Sequence, residues 1–212
     1  MKNIYLKFIE MQQDEHRLVL GTVIRTVGST PQKPGSSAIF ENGRLLYGTV
    51  GGGVVEGKVQ EAAKLSGQSG ESRYLHLLLK SDISDKEEAI CGGEIYILID
   101  ADPLIHLPVF REIMDSTEKR EPGVLITRIT HSAEDQVSIG RYWLTGKSRP
   151  LLSEELTGKI LTEAMKIMAD GSHYCFMHEE PENTVDESYS DYFLESVYPF
   201  PRLIIAGAGH IG

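Results

Sequence analysis

The sequence predicts an α+β domain, a mixed sheet with flanking helices. Three observations predict it. Strand-like and helix-like segments interleave without a strict strand–helix–strand rhythm. Asn42-Gly43 sits in a four-residue turn between two apolar runs, Ser36 to Phe40 and Leu45 to Val50, which is the mark of a hairpin. Gly51-Gly52-Gly53 then separates the second run from a helical pattern through Lys58 to Leu65.

The elements follow in order. Ile4 to Met11 carries a short, imperfect helical pattern, and His16 to Thr26 is a strand apolar on both faces. Val27 to Gly35 is dense in turn formers. After the hairpin, the glycine run and its helix, Gly67 to Gly70 stops that helix. Arg73 to Leu79 alternates weakly as a strand, Ser81 to Glu88 is a polar loop or short helix, and Ile95 to Ile99 is a clear strand. Pro103 opens a helix to about Thr117, because a first-turn proline loses no hydrogen bond. Val124 to Thr130 and Val137 to Leu144 are strands, and Glu154 to Met168 is an amphipathic helix. His173 to His178 and Tyr192 to Val197 read as further strands, and Arg202 to Ala206 as a last, buried one. The six carboxylates from Glu179 to Asp191, with no Lys or Arg among them, read as a solvated loop or linker.

Composition narrows the partners. With 212 residues, 41% hydrophobic and 25% charged, the chain has the makings of a soluble globular protein. A formal charge of −10 without a basic stripe opposes binding to nucleic acid or to an anionic membrane. The start resembles no signal peptide, and no apolar run reaches spanning length. Cys91 and Cys175 lie far apart without metal-ligand spacing, so a reducing cytoplasm is the simpler setting and no metal site is expected.

Two glycine motifs point to ligands. Strand, three glycines and helix direct several free backbone N–H groups at one spot, where an anion can sit. Glycine also permits φ > 0 and a close approach. Gly207-x-Gly209-x-x-Gly212 after a strand is a Rossmann fingerprint in the right local setting. A working NAD(P) site needs the following helix, another strand and an acidic residue about twenty positions on. Either the chain is the front part of a longer protein, which a strand followed by three motif glycines favours, or the motif is vestigial. Residues 1–198 form one domain, and 199–212 are a linker and the opening strand and turn of an incomplete Rossmann domain. An oxidoreductase whose NAD(P)-binding half lies beyond this sequence is the alternative function.

Three segments in order carry a resemblance: Thr22 to Pro31 (TVIRTVGSTP), Gly48 to Glu56 (GTVGGGVVE) and Cys91-Gly92-Gly93-Glu94. Together they resemble the XdhC/CoxI family, accessory proteins of xanthine dehydrogenase and related molybdenum hydroxylases. Pro199 to Gly212 resembles the start of that family's C-terminal Rossmann domain. The likeness covers the chain up to about residue 100 and again at its end. It implies a chaperone that binds molybdenum cofactor (molybdopterin), supports its sulfuration with a cysteine desulfurase and delivers it to an apo molybdenum hydroxylase of the xanthine dehydrogenase type. Such a role is a maturation factor's rather than a turnover enzyme's, and a homodimer is one arrangement open to it. One branch of the family has Ser-Gly-Gly-Cys where this chain has Gly51 to Gly53 preceded by Val50, and some relatives pair a second cysteine where this chain has Ile90. Any thiol chemistry implied by the resemblance rests on Cys91 alone.

Each candidate residue has two readings. Gly51, Gly52 and Gly53 cradle a cofactor phosphate or make a tight strand-to-helix turn. Cys91, before Gly92 and Gly93, is an exposed thiol activated by nearby N–H groups or a small core residue. Glu56 holds pterin amino groups or simply suits the first turn of its helix. Arg25 pairs with phosphate or makes a surface ion pair. Ser29 and Thr30 add hydroxyl donors or form the turn. Cys175, in an apolar run, is a core residue.

Overall fold

Two antiparallel sheets stand face to face, and a helix covers the outer face of each. The computed structural model describes residues 3–12, 17–79, 92–132, 136–146, 156, 158–179 and 189–204. The first sheet contains β1 (Leu18–Val27), β2 (Ser37–Glu41), β3 (Arg44–Gly48), β4 (Arg73–Leu78) and β5 (Glu94–Asp100), in the order β3-β2-β1-β5-β4. The second contains β6 (Gly123–His131), β7 (Val137–Thr145), β8 (Tyr174–Glu179) and β9 (Tyr189–Val197), in the order β7-β6-β9-β8. The α+β class holds, but the expected mixed sheet resolves into two antiparallel ones. The reason is the path of the helix after the glycine run. It leaves β3 at one edge of the first sheet and delivers β4 to the other edge, so it crosses the whole face instead of joining parallel neighbours.

That helix, α2 (Gly53–Ser69), buries Val55, Val59, Ala62, Ala63 and Ser66 along one stripe. The stripe packs on Val19, Val23, Phe40, Ile95, Ile97 and Ile99 of the sheet. A Cβ on Gly67 would sit 3.3 Å from Val19 Cγ2, so the missing side chain is what lets the helix lie this close. The helix ends at Gly70, whose φ of 77° and N–H bond to the Ser66 carbonyl make a left-handed cap. The hairpin turn has positive φ at both Asn42 (50°) and Gly43 (80°), the geometry that matches strand twist.

On the second sheet α4 (Gly158–Asp170) buries Ile160, Ala164 and Ile167 against Val124, Ile126, Leu144, Tyr192 and Leu194. Between the sheets, at one end, lie α1 (Ile4–Met11) and α3 (Leu107–Glu118), the latter following a short 3-10 turn at Pro103–His106. Tyr5, Phe8, Phe110 and Ile113 fill that space with Leu20, Ile39, Leu125 and Trp143. Full burial of each such side chain contributes roughly 1.5–3 kcal/mol. Trp143, the single tryptophan, is 5% exposed and donates from Nε1 to Ser116 Oγ on α3 at 2.9 Å. Farther along, the sheets touch directly through Ile24, Leu98, Ile129 and Phe193.

One buried ion pair crosses the interface. Arg141 of β7 donates from Nη1 to Asp100 Oδ2 at the end of β5, with both side chains almost fully enclosed. Desolvation offsets much of such a pair's attraction, so it orients the sheets more than it stabilises them. His106 lies in their field, and burial, reinforced by the Arg141 cation, pushes its imidazole down to about 4.

The last expected strand does not form over the part that is described. Arg202 to Ile204 carry no strand pairing, and Leu203 and Ile204 are 84% and 80% exposed. An apolar run becomes a strand only where a neighbour takes up its N–H and C=O groups, and none does so among the described residues. Gly207, Gly209 and Gly212 lie outside the described residues. Among the described residues no helix is long and apolar enough to cross a membrane.

Candidate functional site

Antiparallel pairing gathers the candidate loops at one end of the first sheet. There β1, β3 and β4 end while β2 and β5 begin, so Gly28 to Ser36, Thr49 to Gly52 and Gly92 to Gly93 share one rim. The contacts tie them together. Ser29 forms an isolated parallel bridge with Gly92. A Cβ built on Gly51 would lie 3.8 Å from Pro31 Cγ. Ser29 and Pro31 are two residues apart, at most about 7.6 Å between Cα atoms. The Gly28–Ser36 loop thus bridges the glycine run and the Gly92–Gly93 corner.

The run itself caps α2. Gly52 is the N-cap, with extended backbone and no side-chain cap bond. Thr49 Oγ1 donates to the Gly51 carbonyl at 2.8 Å and accepts from the Gly51 N–H at 3.3 Å. Gly51 is buried, and Gly52 and Gly53 are exposed, with open space where each Cβ would stand. The helix start is therefore bare backbone facing outward, with its N–H dipoles directed at whatever binds there.

The remaining candidates are placed as follows. Glu56 is half-buried in the first turn and accepts from Gln60 Nε2 on its own helix at 3.3 Å. Thr30 Oγ1 donates to the Gln32 carbonyl at 2.8 Å, a local turn bond, and Ser29 is exposed. Gly93 is packed tightly against the backbone at Val27 and Ser29, whereas Gly92 has φ +56° and open space. Cys91 lies outside the described residues. Cys175 is half-buried against the α4 cluster, and burial, with Glu163 nearby, pushes its thiol up.

Arg25 is the candidate not brought to the turn. The β1–β5 register shifts between Val23 and Arg25, so Ile24 is an extra residue in a bulge. Val23 packs under α2, but Arg25 lies over the rings of Tyr96 (5.1 Å) and Phe176 (5.3 Å) on the face toward the second sheet. Strict alternation would have aimed it at α2, and the bulge reverses its face.

Two polar groups escaped the sequence reading. Glu195 of β9 accepts from the Tyr5 hydroxyl at 2.7 Å. It lines a cavity of about 350 Å³ together with Asn3, Gln32, Ser36, Tyr47 and Thr49, next to the loop rim. The signal was available: Phe193, Glu195 and Val197 alternate on one strand face, and the carboxylate falls between two core residues. On the same strand Asp191 accepts from or pairs with His131 Nε2 (3.0 Å) and His178 Nδ1 (2.7 Å), one on each oxygen. Burial pushes its carboxyl up, and the two imidazole bonds outweigh that and hold it below the usual range. That triad closes on itself, with both carboxylate oxygens taken.

Similarity to known proteins falls on the same residues. Residues 11–78, which include β1, the loop, the hairpin, the glycine run and α2, match the XdhC and CoxI family. Over that stretch, about a third of its length, the chain is similar to that family. It is 24% identical, over 99% of its length, to a Bacillus subtilis protein described as a probable component of xanthine dehydrogenase. It is 26% identical over 97 residues to the Escherichia coli protein YqeB, described as uncharacterized. A crystal structure titled as a xanthine dehydrogenase from Bacillus halodurans superposes with a TM-score of 0.62 over 94% of this chain at 17% identity, which bears on the fold alone. The chain spans 58% of the B. subtilis relative, 18% of YqeB and 53% of the crystallised chain.

Proposed function

We propose that this XdhC/CoxI-type chain is a maturation factor that binds molybdenum cofactor at the loop rim of the first sheet. It supports sulfuration of the cofactor by a cysteine desulfurase and delivers it to a xanthine dehydrogenase-type molybdenum hydroxylase. The observation that supports this reading most is the bare, outward-facing start of α2 at Gly52–Gly53, on the same sheet rim as Gly92.

The chemistry of the rim fits the group. Molybdopterin ends in a phosphate, and an uncapped helix start of a seventeen-residue helix offers N–H donors and a favourable dipole to it. The open space at Gly52, Gly53 and Gly92 leaves room for a ligand against the backbone. Gly52 and Gly53 would hold the phosphate, and the Ser29 hydroxyl stands on the same rim as a further donor. Cys91 immediately precedes Gly92 in sequence, and a thiolate suits the soft metal or its sulfur. The bound group would supply the metal and dithiolene chemistry that a client hydroxylase uses. The chain's own part is to hold and orient the phosphate at the helix start.

The test is retention of purified molybdenum cofactor by the parent, Cys91→Ser and Gly53→Asp through gel filtration. The Gly53→Asp carboxylate would repel the phosphate at the helix start and should cut retention at least about tenfold, the scale of a lost charge-assisted contact. Equal retention by parent and Gly53→Asp would refute the helix-start site. No retention by the parent would refute the function.

A further inference from the structure

Glu195 stands where its strand otherwise packs apolar side chains. Phe193 and Val197, its neighbours on the same face of β9, belong to the packing between the sheets. Of its two oxygens, Oε2 accepts from Tyr5 on α1, and Tyr5 is the one hydrogen-bond donor to Glu195 among the described residues. Arg141 acts on it only through space, because its guanidinium pairs with Asp100. Glu195 is half-buried, and a carboxylate this enclosed with one donor costs free energy unless another partner meets its free oxygen. Burial accordingly pushes it up to about 7, against the pull of Tyr5 and then of Arg141. Its Oε1 lies 3.9 Å from where a Gly35 side chain would begin, on the wall of the cavity.

The cavity has the size and the lining of a ligand site. Its volume of about 350 Å³ lies within the range of small-molecule pockets, roughly 300–1,000 Å³. Asn3 at the N-cap of α1, Ile4 in its first turn, Ser37 of β2 and Tyr47 of β3 form its other walls. Gln32 uses its Oε1 to accept from Ser36 Oγ at 3.0 Å, which leaves its amide NH2 without a partner among the described residues. Thr49, on the wall, also holds Gly51 of the helix start. A free carboxylate oxygen, an unpaired amide donor and a flat aromatic wall suit one kind of edge. That edge is a cyclic guanidine, with a ring N–H and an exocyclic amino group as donors and a ring carbonyl beside them as acceptor.

We propose that the Glu195 cavity binds a planar heterocycle through its cyclic guanidine edge, and that the heterocycle is a pterin. Glu195 accepts from the ring N–H and the amino group, and the Gln32 amide donates to the ring carbonyl. The choice of pterin over guanine rests on the cofactor reading above, and places the ring end of the ligand on the same rim as its phosphate.

Calorimetric titration of the parent and of Glu195→Gln with neopterin, lumazine and guanosine tests it, beside retention of molybdenum cofactor by both proteins. Lumazine keeps the pterin shape but carries a carbonyl in place of the amino group. The expected result is neopterin binding by the parent and a loss of about tenfold or more both in Glu195→Gln and with lumazine. Glu195→Gln has no charge to desolvate, so it should melt no lower than the parent at pH 8 and serves as a folded control. Tyr5→Phe frees Oε2 without removing the carboxylate and should keep the preference for neopterin over lumazine. Equal neopterin affinity in parent and Glu195→Gln, or no neopterin binding by the parent, overturns the proposal. Guanosine bound in place of neopterin overturns the pterin assignment. Cofactor retained equally by parent and Glu195→Gln overturns this subsite while the maturation function stands. Neopterin bound through Glu195 with no cofactor retained supports the subsite and sinks that function.

Discussion

The two glycine corners of the first sheet look alike in sequence and differ in what their glycines do. At Gly92–Gly93 the second glycine is demanded by packing, because its Cβ would stand 2.3 Å from the Ser29 carbonyl oxygen and 2.6 Å from that of Val27. In the run after β3 the first is demanded, because a Cβ on Gly51 would meet Val55 Cγ1 at 2.8 Å. Gly53 and Gly92 have open space but φ of +55° and +56°, which L side chains adopt at a cost. Gly52 meets neither demand: its φ is −135°, and nothing lies within 4 Å of its Cβ direction. One corner is a splice between two strands. The other leaves one glycine that the fold does not require, at the start of a helix.

Four substitutions would break or sharpen that contrast. Gly93→Ala drives a methyl into fixed backbone and should cost about 3 kcal/mol or more in urea denaturation. A loss under about 1 kcal/mol would mean that the corner opens freely and is no splice. Gly51→Ala meets a side chain instead of backbone, and should cost about 1–3 kcal/mol by the same measurement. Gly53→Ala has space but the wrong backbone region, and a cost of about 1–2 kcal/mol is expected. Gly52→Ser should be the smallest, neutral or stabilising by about 0.5 kcal/mol, since serine can cap the helix and narrows the unfolded ensemble. If the rim binds an anion, Gly52→Ser should nonetheless weaken retention of molybdenum cofactor. Unchanged retention would make Gly52 a plain turn residue.

Local chemistry was legible in the sequence, and the faces of strands were less so. Asn42-Gly43 announced a hairpin because only certain residues tolerate two positive φ values in succession. Gly51 to Gly53 announced a helix start, and α2 begins at Gly53. Sheet membership was not readable, because helix α2 could have joined parallel neighbours or, as it does, opposite edges of one sheet. Arg25 was misplaced by a single bulge that no local residue type signals. Glu195 was passed over because a carboxylate inside a strand looks like an edge or surface residue until the strand's partner faces are known. The candidates legible in the sequence are those whose placement follows from backbone conformation. Glu195, passed over, is placed by tertiary packing.

Trp143 gives this architecture its own optical gauge. The ring is closed in between β7 and α3, with its indole N–H held by Ser116 and with Gly123 so near that a Cβ there would touch it at 2.4 Å. As the single indole in the chain, it assigns all tryptophan emission to the junction where α3 enters between the two sheets. Emission from the native protein should be blue-shifted, and parting of the sheets should shift it to the red without any label. A ligand that draws the rim together would register as a change in quenching at a site it never touches.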